Sequence, residues 1–346
     1  MRVCKIYGAE DLRVESLPDP EVGPGEVLLK LGAGGICGSD LHYFLHGKIG
    51  SFVIREPLIP GHEISGTALR VGPGVTRIAE GDRVAVNPSR ACGVCRGCRE
   101  GRENLCRNMR FLGSASVFPH MQGMFREQFV MPEAQCQAVP ASVSLSELAF
   151  AEPLAVSLHA VQRAGNLLGK RVLVTGAGPI GCLIIMVARL NGAAEVIVSD
   201  VVERTLQVAS RVGADRCLRA DQIPGGPEGF AAAAGEVDVA LEAAGNPAAV
   251  AQCLAAVGRG GRIVQVGTLP GEGISLMANQ IMAREIDYVG TLRFGVEFDW
   301  AVRILADRRL DVTPLLSGRY HIADAGAAFR AAADKTKHTK VQVVAE

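Results

Sequence analysis

The chain has 346 residues, with 36 Lys+Arg against 36 Asp+Glu and 48% hydrophobic residues. That length suits two domains of roughly 150 residues each, and zero net charge removes the basic excess that nucleic acid or an anionic membrane surface would select. The N-terminus, MRVCKIYGAEDLRVESLPDP, reaches charges too early for a secretory signal, and the apolar run IGCLIIMVARL (180–190) is too short to span a bilayer. The expectation is a cytoplasmic protein acting on a small molecule, with neither nucleic acid nor membrane as partner.

The first 150 residues are rich in Gly and Pro and contain short alternating stretches, EVLLKLG (26–32) and DRVAVNP (82–88), that read as β-strands joined by turns. Reactive side chains concentrate in GICGSDLHYFLHG (35–47) and PGHEISG (60–66). Catalytic zinc takes three protein ligands and keeps one position open. Cys37 and His62 are the natural pair, and the third ligand is an acid, Glu63 or Glu152. A zinc-polarised hydroxyl loses its proton near neutral pH, and Ser39 and His42 are close enough in sequence to relay it. Asp40 is positioned to accept a bond from the far ring nitrogen of His62.

CGVCRGCREGRENLC (92–106) raises a separate question. Thiols stay reduced in the cytosol, so clustered cysteines there point to metal rather than disulfides. Cys92, Cys95, Cys98 and Cys106 have the spacing C-x2-C-x2-C-x7-C, and four thiolates suit a closed, structural zinc site.

The texture changes near residue 147. ELAFAEPLAVSLHAVQRAG (147–165) has helical periodicity, with His159 on its apolar face read as a core residue. An alternating series follows: strand RVLVTG (171–176), helix 179–193, strand EVIVSD (195–200), helix 202–214, strand VDVALEAAG (237–245), helix 247–258, strand GRIVQVG (261–267). This is the pattern of a doubly wound parallel sheet, so the fold class is α/β. GAGPIG (176–181) follows a strand and opens a helix, the context that a G-x-G-x-x-G dinucleotide motif requires. Gly176, Gly178, Pro179, Ile180 and Gly181 form this turn against a pyrophosphate. Asp200 ends the next strand, where an acid binds ribose hydroxyls and disfavours a 2′-phosphate. NAD is therefore expected first, with NADP admitted by Arg204; Val266 and Gly267, closing the strand 261–267, belong to the same site. The expected division is 1–150 for the β-rich domain with its cysteine lobe, 151–292 for the nucleotide domain, and 293–346 returning to the first.

GHEISG, the four-cysteine lobe, AEPLAV (151–156) and GAGPIG stand in the order found in the zinc-containing medium-chain dehydrogenases, which the whole chain resembles. The acid in AEPLAV and HGKIGSF (46–52) resemble the polyol branch. The segments 37–63, 108–125, 151–160 and 292–298 look like its idonate-oxidising members. That resemblance implies a GroES-like catalytic domain, a Rossmann domain, homodimers or homotetramers, and NAD(P)-dependent oxidation of L-idonate to 5-keto-D-gluconate. It also implies that Cys37, His62 and Glu152 hold the catalytic zinc, with Glu63 exchanging for Glu152. An aldonate carboxylate needs a cation. The candidates are Arg110, Arg293, His120 and Lys48, the two arginines first because a guanidinium binds a carboxylate two-pronged. A sorbitol or xylitol dehydrogenase is the alternative. A zinc- and NAD-binding sensor without turnover is another, although it would have no need of Cys37, His62, Ser39 and His42 together.

Overall fold

A computed structural model describes residues 1–271 and 273–346. The chain divides into two compact units, one formed by 1–152, 298–334 and 340–346, the other by 153–297 and 335–339.

The first unit is built on a seven-stranded sheet. Its strands run in the order Cys136–Val139, Arg83–Val86, Glu63–Val71, Glu26–Gly35, Lys340–Val344, Leu316–His321, with Gln128–Pro132 also pairing with Glu26–Gly35. Burial along Glu26–Gly35 and Lys340–Val344 is nearly continuous, as expected of strands covered on both faces. Aromatic side chains fill the core: Phe125 and Phe329 meet edge-on at 6.0 Å, and Phe44 meets Phe329 at 5.5 Å. The final strand runs antiparallel to Glu26–Gly35 and parallel to Leu316–His321. This places strand Lys340–Val344 inside the sheet, next to its edge strand Leu316–His321.

The second unit carries a six-stranded parallel sheet in the order Arg216–Arg219, Glu195–Asp200, Arg171–Thr175, Val237–Glu242, Val257–Gln265, Asp287–Gly290. The strand order reverses between Arg171–Thr175 and Val237–Glu242, the switch point at whose carboxyl end such sheets bind ligands. Helix Pro179–Leu190 is buried at eight consecutive positions from Gly181 to Ala188, which explains its near-absence of polar residues.

Two expected elements have different bounds. The helical stretch 147–165 is two helices, Leu145–Leu148 and Ala151–Ala164. Ser144 caps the first, accepting a bond from Glu147 N at 3.1 Å. The strand read from residue 261 starts at Val257, directly after helix Pro247–Ala256. The alternation of residues 258–261, Gly-Arg-Gly-Gly, carries no hydrophobic signal.

Candidate active site

Helix Gly38–His46 begins at Cys37, whose extended backbone (φ −86°, ψ 160°) forms the N-cap. The Asp40 carboxylate turns back to accept the Cys37 N–H at 3.0 Å and reaches across to the Gly61 N–H at 3.2 Å. One fully buried acid thereby ties the Cys37 turn to the His62 turn. Burial raises its pKa. The expected Asp40–His62 bond is not made: Asp40 Oδ1 lies 3.7 Å from His62 Nδ1, beyond hydrogen-bond range, the carboxylate being oriented by the Cys37 and Gly61 N–H groups instead.

His62 is buried, and its Nδ1 has no hydrogen-bond partner among the described residues. A thiol, an imidazole and a carboxylate meet here: ligand atoms of Cys37, His62 and Glu63 all lie within 4.8 Å of one another. Glu152, at the start of helix Ala151–Ala164, is also buried; it falls outside that three-residue group but feels the charges of His62, Glu63 and Cys37. Burial first, with neighbouring acids adding to it, pushes the Glu152 carboxyl up to about 8 and the Cys37 thiol up to about 12. Such groups hold protons until a cation displaces them. An under-coordinated buried histidine beside a thiol and two carboxyls therefore fits a divalent cation such as zinc.

Lys340 is the residue at this site that sequence reasoning missed. Its Nζ is bonded to Glu63 at 2.6 and 2.8 Å and to the Ile36 carbonyl at 3.2 Å, with both side chains almost wholly buried. Burial alone lowers an ammonium pKa; Glu63 and the neighbouring thiol and acid outweigh it, and the net direction is up. Gly35 sits opposite Glu63 in the sheet, and a Cβ there would meet Glu63 Oε2 at 2.0 Å. The only sequence signal was a lysine at the head of the strand KVQVV.

On the same helix, Ser39 is half-buried and interacts with the Cys37 thiol, while His42 is exposed. Three residues apart, they share one helix face.

The four cysteines bring all their sulfurs within 4.8 Å of one another. Gly97 suits the close packing there, since a Cβ would lie 3.0 Å from the Leu105 carbonyl oxygen. Main-chain N–H groups stabilise the Cys95 thiolate and lower its pKa to about 6, whereas burial raises Cys98 to about 12.

In the second unit, strand Arg171–Thr175 turns at Gly176 (φ +88°) into helix Pro179–Leu190, with Gly178 as N-cap and Pro179 as first residue. A Cβ on Gly181 would lie 1.8 Å from the Gly176 carbonyl, so strand and helix can pack only because it has none. No side chain caps this helix, and since Pro179 has no N–H the first groups oriented for an anion are those from Ile180 onward. Asp200 accepts from Ala177 N at 2.7 Å and Val202 N at 2.9 Å, so it braces the glycine turn. Arg204 donates to Thr339 Oγ1 at 3.0 Å. The N–H groups of Val266 and Gly267 both donate to the Glu242 carbonyl at 2.8 Å. Buried Glu242 also accepts from Ala244 N and Gly245 N, a brace at the switch point that its sequence did not advertise.

The carboxylate candidates are dispersed. Both ring nitrogens of His120 are engaged with main chain, Nε2 accepting from Arg55 N at 2.9 Å and Nδ1 meeting the Val117 carbonyl at 2.8 Å; its ring shapes the loop and has no nitrogen left for a ligand. Phe111 sets its ring 5.3 Å from His62, and strand alternation turns adjacent Arg110, which is exposed, to the opposite face. Lys48 is exposed in the hairpin after helix Gly38–His46. Arg293, in the second unit, is half-buried with a left-handed backbone (φ +53°). His159 is a satisfied core histidine, its Nδ1 2.9 Å from Glu297 Oε1.

Among the described residues, no helix is long and apolar enough to cross a membrane. The alcohol dehydrogenase GroES-like domain matches residues 23–141 and the zinc-binding dehydrogenase family matches 179–307. L-idonate 5-dehydrogenase (NAD(P)(+)) of Escherichia coli K12 is 41% identical over 92% of this chain and 91% of its own. The sorbitol dehydrogenase of Gallus gallus is 37% identical over 94% and 91%. The crystal structure of the Escherichia coli K-12 L-idonate 5-dehydrogenase covers 99% of this chain and 97% of its own with a TM-score of 0.93. With a GroES-like unit, a Rossmann unit and these relatives along nearly its whole length, the chain belongs to the zinc-binding medium-chain dehydrogenases.

Proposed function

We propose that the protein oxidises a secondary hydroxyl of a sugar acid with NAD(P)+, L-idonate to 5-keto-D-gluconate, a reading that the 41% identity to L-idonate 5-dehydrogenase supports. The observation that carries this reading is the convergence of Cys37, His62 and Glu63 around an imidazole with an unsatisfied nitrogen. Cys37 and His62 would hold a catalytic zinc with Glu152 or Glu63 as the acid, and Cys92, Cys95, Cys98 and Cys106 a structural one. Bound zinc lowers the pKa of a substrate hydroxyl, and the nicotinamide accepts the hydride.

The remaining work falls to side chains. Asp40 locks the Cys37 and His62 turns together, so the donor set is positioned before substrate arrives. Ser39, half-buried, takes the hydroxyl proton and hands it to His42 at the exposed face of the helix. The Gly176–Gly181 turn receives the pyrophosphate on the open N-terminus of helix Pro179–Leu190. Asp200 would repel a 2′-phosphate and Arg204 attract one, which favours NAD and admits NADP. Arg110 and Arg293 would be the candidate ligands of the substrate carboxylate, Arg110 being exposed on the strand face opposite Phe111. The unpaired edge of strand Asp287–Gly290 would join two copies into a dimer.

Initial rates of NADH formation on L-idonate and on sorbitol test the proposal. A kcat/KM for idonate at least about tenfold higher is expected. A preference for sorbitol would leave hydride transfer in place and make the protein a polyol dehydrogenase, the reading that the 37% identity to sorbitol dehydrogenase supports.

A further inference from the structure

Helix Leu145–Leu148 packs over strands Glu26–Gly35, Glu63–Val71 and Arg83–Val86 of the first unit. Beside it lies a cavity of about 250 Å³ with a basic lining: Lys30, Arg83 and Arg319, with Glu346 as the acid. The register of the sheet explains how two of these cations meet. Lys30 pairs with Thr67 and Thr67 with Arg83, so the three stand in one row across adjacent strands. At the usual strand spacing, Lys30 and Arg83 are about 9.5 Å apart at the main chain, with the threonine between them. Arg319 comes from strand Leu316–His321 of the same sheet.

Their bonding leaves these groups open to a ligand. Arg83 donates through Nη1 to the Val143 carbonyl at 2.5 Å, which leaves the rest of its fork. Lys30 pairs with Glu346, whose side chain is 78% exposed, and such a pair is weak in water. Arg319 makes no hydrogen bond or ion pair with the described residues, and neither do the hydroxyls of Thr67 and Ser146 at the same cavity. Like charges gathered on one sheet face repel one another. One exposed glutamate offsets one of the three, so the cavity keeps a positive excess.

We propose that this cavity is a binding site for a phosphate group, present as the free ion or carried by a small phosphomonoester. The guanidinium forks of Arg83 and Arg319 match its oxygens, Lys30 turns to it from Glu346, and the Thr67 and Ser146 hydroxyls supply neutral donors. The volume lies below that of sites for drug-sized ligands, which suits a phosphate with few carbons attached. All the lining residues belong to the first unit, and none of them is a candidate zinc ligand. The inference is therefore independent of the readings given to Cys37, His62 and the glycine turn. A bound phosphate joins side chains from four strands, so it stabilises the folded unit.

The test titrates inorganic phosphate into the full-length, zinc-loaded protein at low ionic strength by calorimetry, with NADH present to occupy the glycine turn. One phosphate per chain is expected, with a Kd below about 1 mM. Arg319→Met removes an exposed side chain that holds nothing else, and it should weaken binding at least about tenfold. Glu346→Gln frees Lys30 and should tighten binding about threefold, whereas loss of a rival carboxylate changes nothing if phosphate merely screens surface charge. Phosphate should also raise the melting temperature of wild type more than that of Arg319→Met. Repeating the titration with glycerol 3-phosphate identifies the source. Tighter binding than phosphate points to a phosphomonoester and weaker binding to the free ion, and either supports the site. No saturable binding below about 10 mM, or equal affinities in wild type, Arg319→Met and Lys30→Met, overturns the proposal.

Discussion

The Glu63 carboxylate and the Gly35 backbone occupy space that no third group can share. Adding a methyl in Gly35→Ala places it 2.0 Å from an oxygen that Lys340 holds in place. The expected loss of stability is about 1–3 kcal/mol, read by chemical denaturation of the purified variant; an unchanged midpoint would mean that the pair can shift at no cost. Protonation gives a second prediction. In the metal-free protein, burial keeps protons on Cys37, raised to about 12, and on Glu152, raised to about 8. A cation must expel both, so its affinity rises with pH. The slope should be about two powers of ten per pH unit below pH 8, where both protons leave, and about one above it, where only the thiol's remains. Competition with a chelator of known affinity at several pH values measures this. A flat profile would mean that neither group is a ligand. At this scale the sequence was most informative where residue type alone constrains chemistry, as with Cys37, His62 and the four clustered cysteines. It was silent where three-dimensional contact supplies the role: Lys340 lies 277 positions from Glu63, and nothing in KVQVV marks its first residue as a buried cation. Asp40 was legible as a partner of this site, but its two bonds to main chain depend on how two turns meet.

The cysteine lobe is a short element with little apolar packing of its own. Its helix, Arg96–Arg99, buries no residue, and the small apolar group around it is Cys106, Met109 and Phe111. Four sulfurs drawn together stand where a core would be, and a zinc held there would supply the folding energy of the lobe. Stripping that zinc should raise hydrogen exchange and proteolytic nicking over 92–106 at least tenfold while leaving the six-stranded sheet protected; equal protection with and without metal would assign the lobe's order to packing. The glycine turn is the contrasting case, an element held by carboxylates rather than by an ion. Asp200 braces Ala177 from one side, and Glu242 ties down Ala244 and Gly245 at the switch point. Replacing Asp200 by Asn removes the charge that repels a 2′-phosphate and keeps one acceptor for the turn. The NADP-over-NAD ratio of kcat/KM should rise by about tenfold or more; an unchanged ratio would leave Asp200 with its bracing role alone. The alternation of strand and helix from 171 to 267 was readable because each strand is buried on both faces and each helix follows at regular spacing. Strand Arg216–Arg219 and helix Gly226–Ala234 escaped notice because the first is flanked by charge and the second is mostly Ala and Gly, without an apolar stripe.

Across the whole molecule, the chain leaves the first unit after Glu152, returns to it at Phe298, enters the second again for 335–339, and runs its last strand inside the first unit's sheet. The arrangement gives the last strand a direct influence on the metal-binding turn, through Ile36 and Glu63, that a linear reading of domains would not supply. The α/β class, the parallel sheet and the family were open to sequence reasoning because the motifs fall in a fixed order. The choice of substrate was not: of the candidates for its carboxylate, His120 proved to be spent on main chain, and Arg110 and Lys48 are exposed. The most direct measurement follows NADH formation from L-idonate by protein carrying two zinc ions, beside His62→Ala protein that retains only the ion of the four cysteines. The account predicts zinc-dependent turnover of idonate in the first and a loss of at least about a thousandfold in the second. Equal turnover by the two, or none by the fully loaded protein on idonate, sorbitol or xylitol, would contradict it.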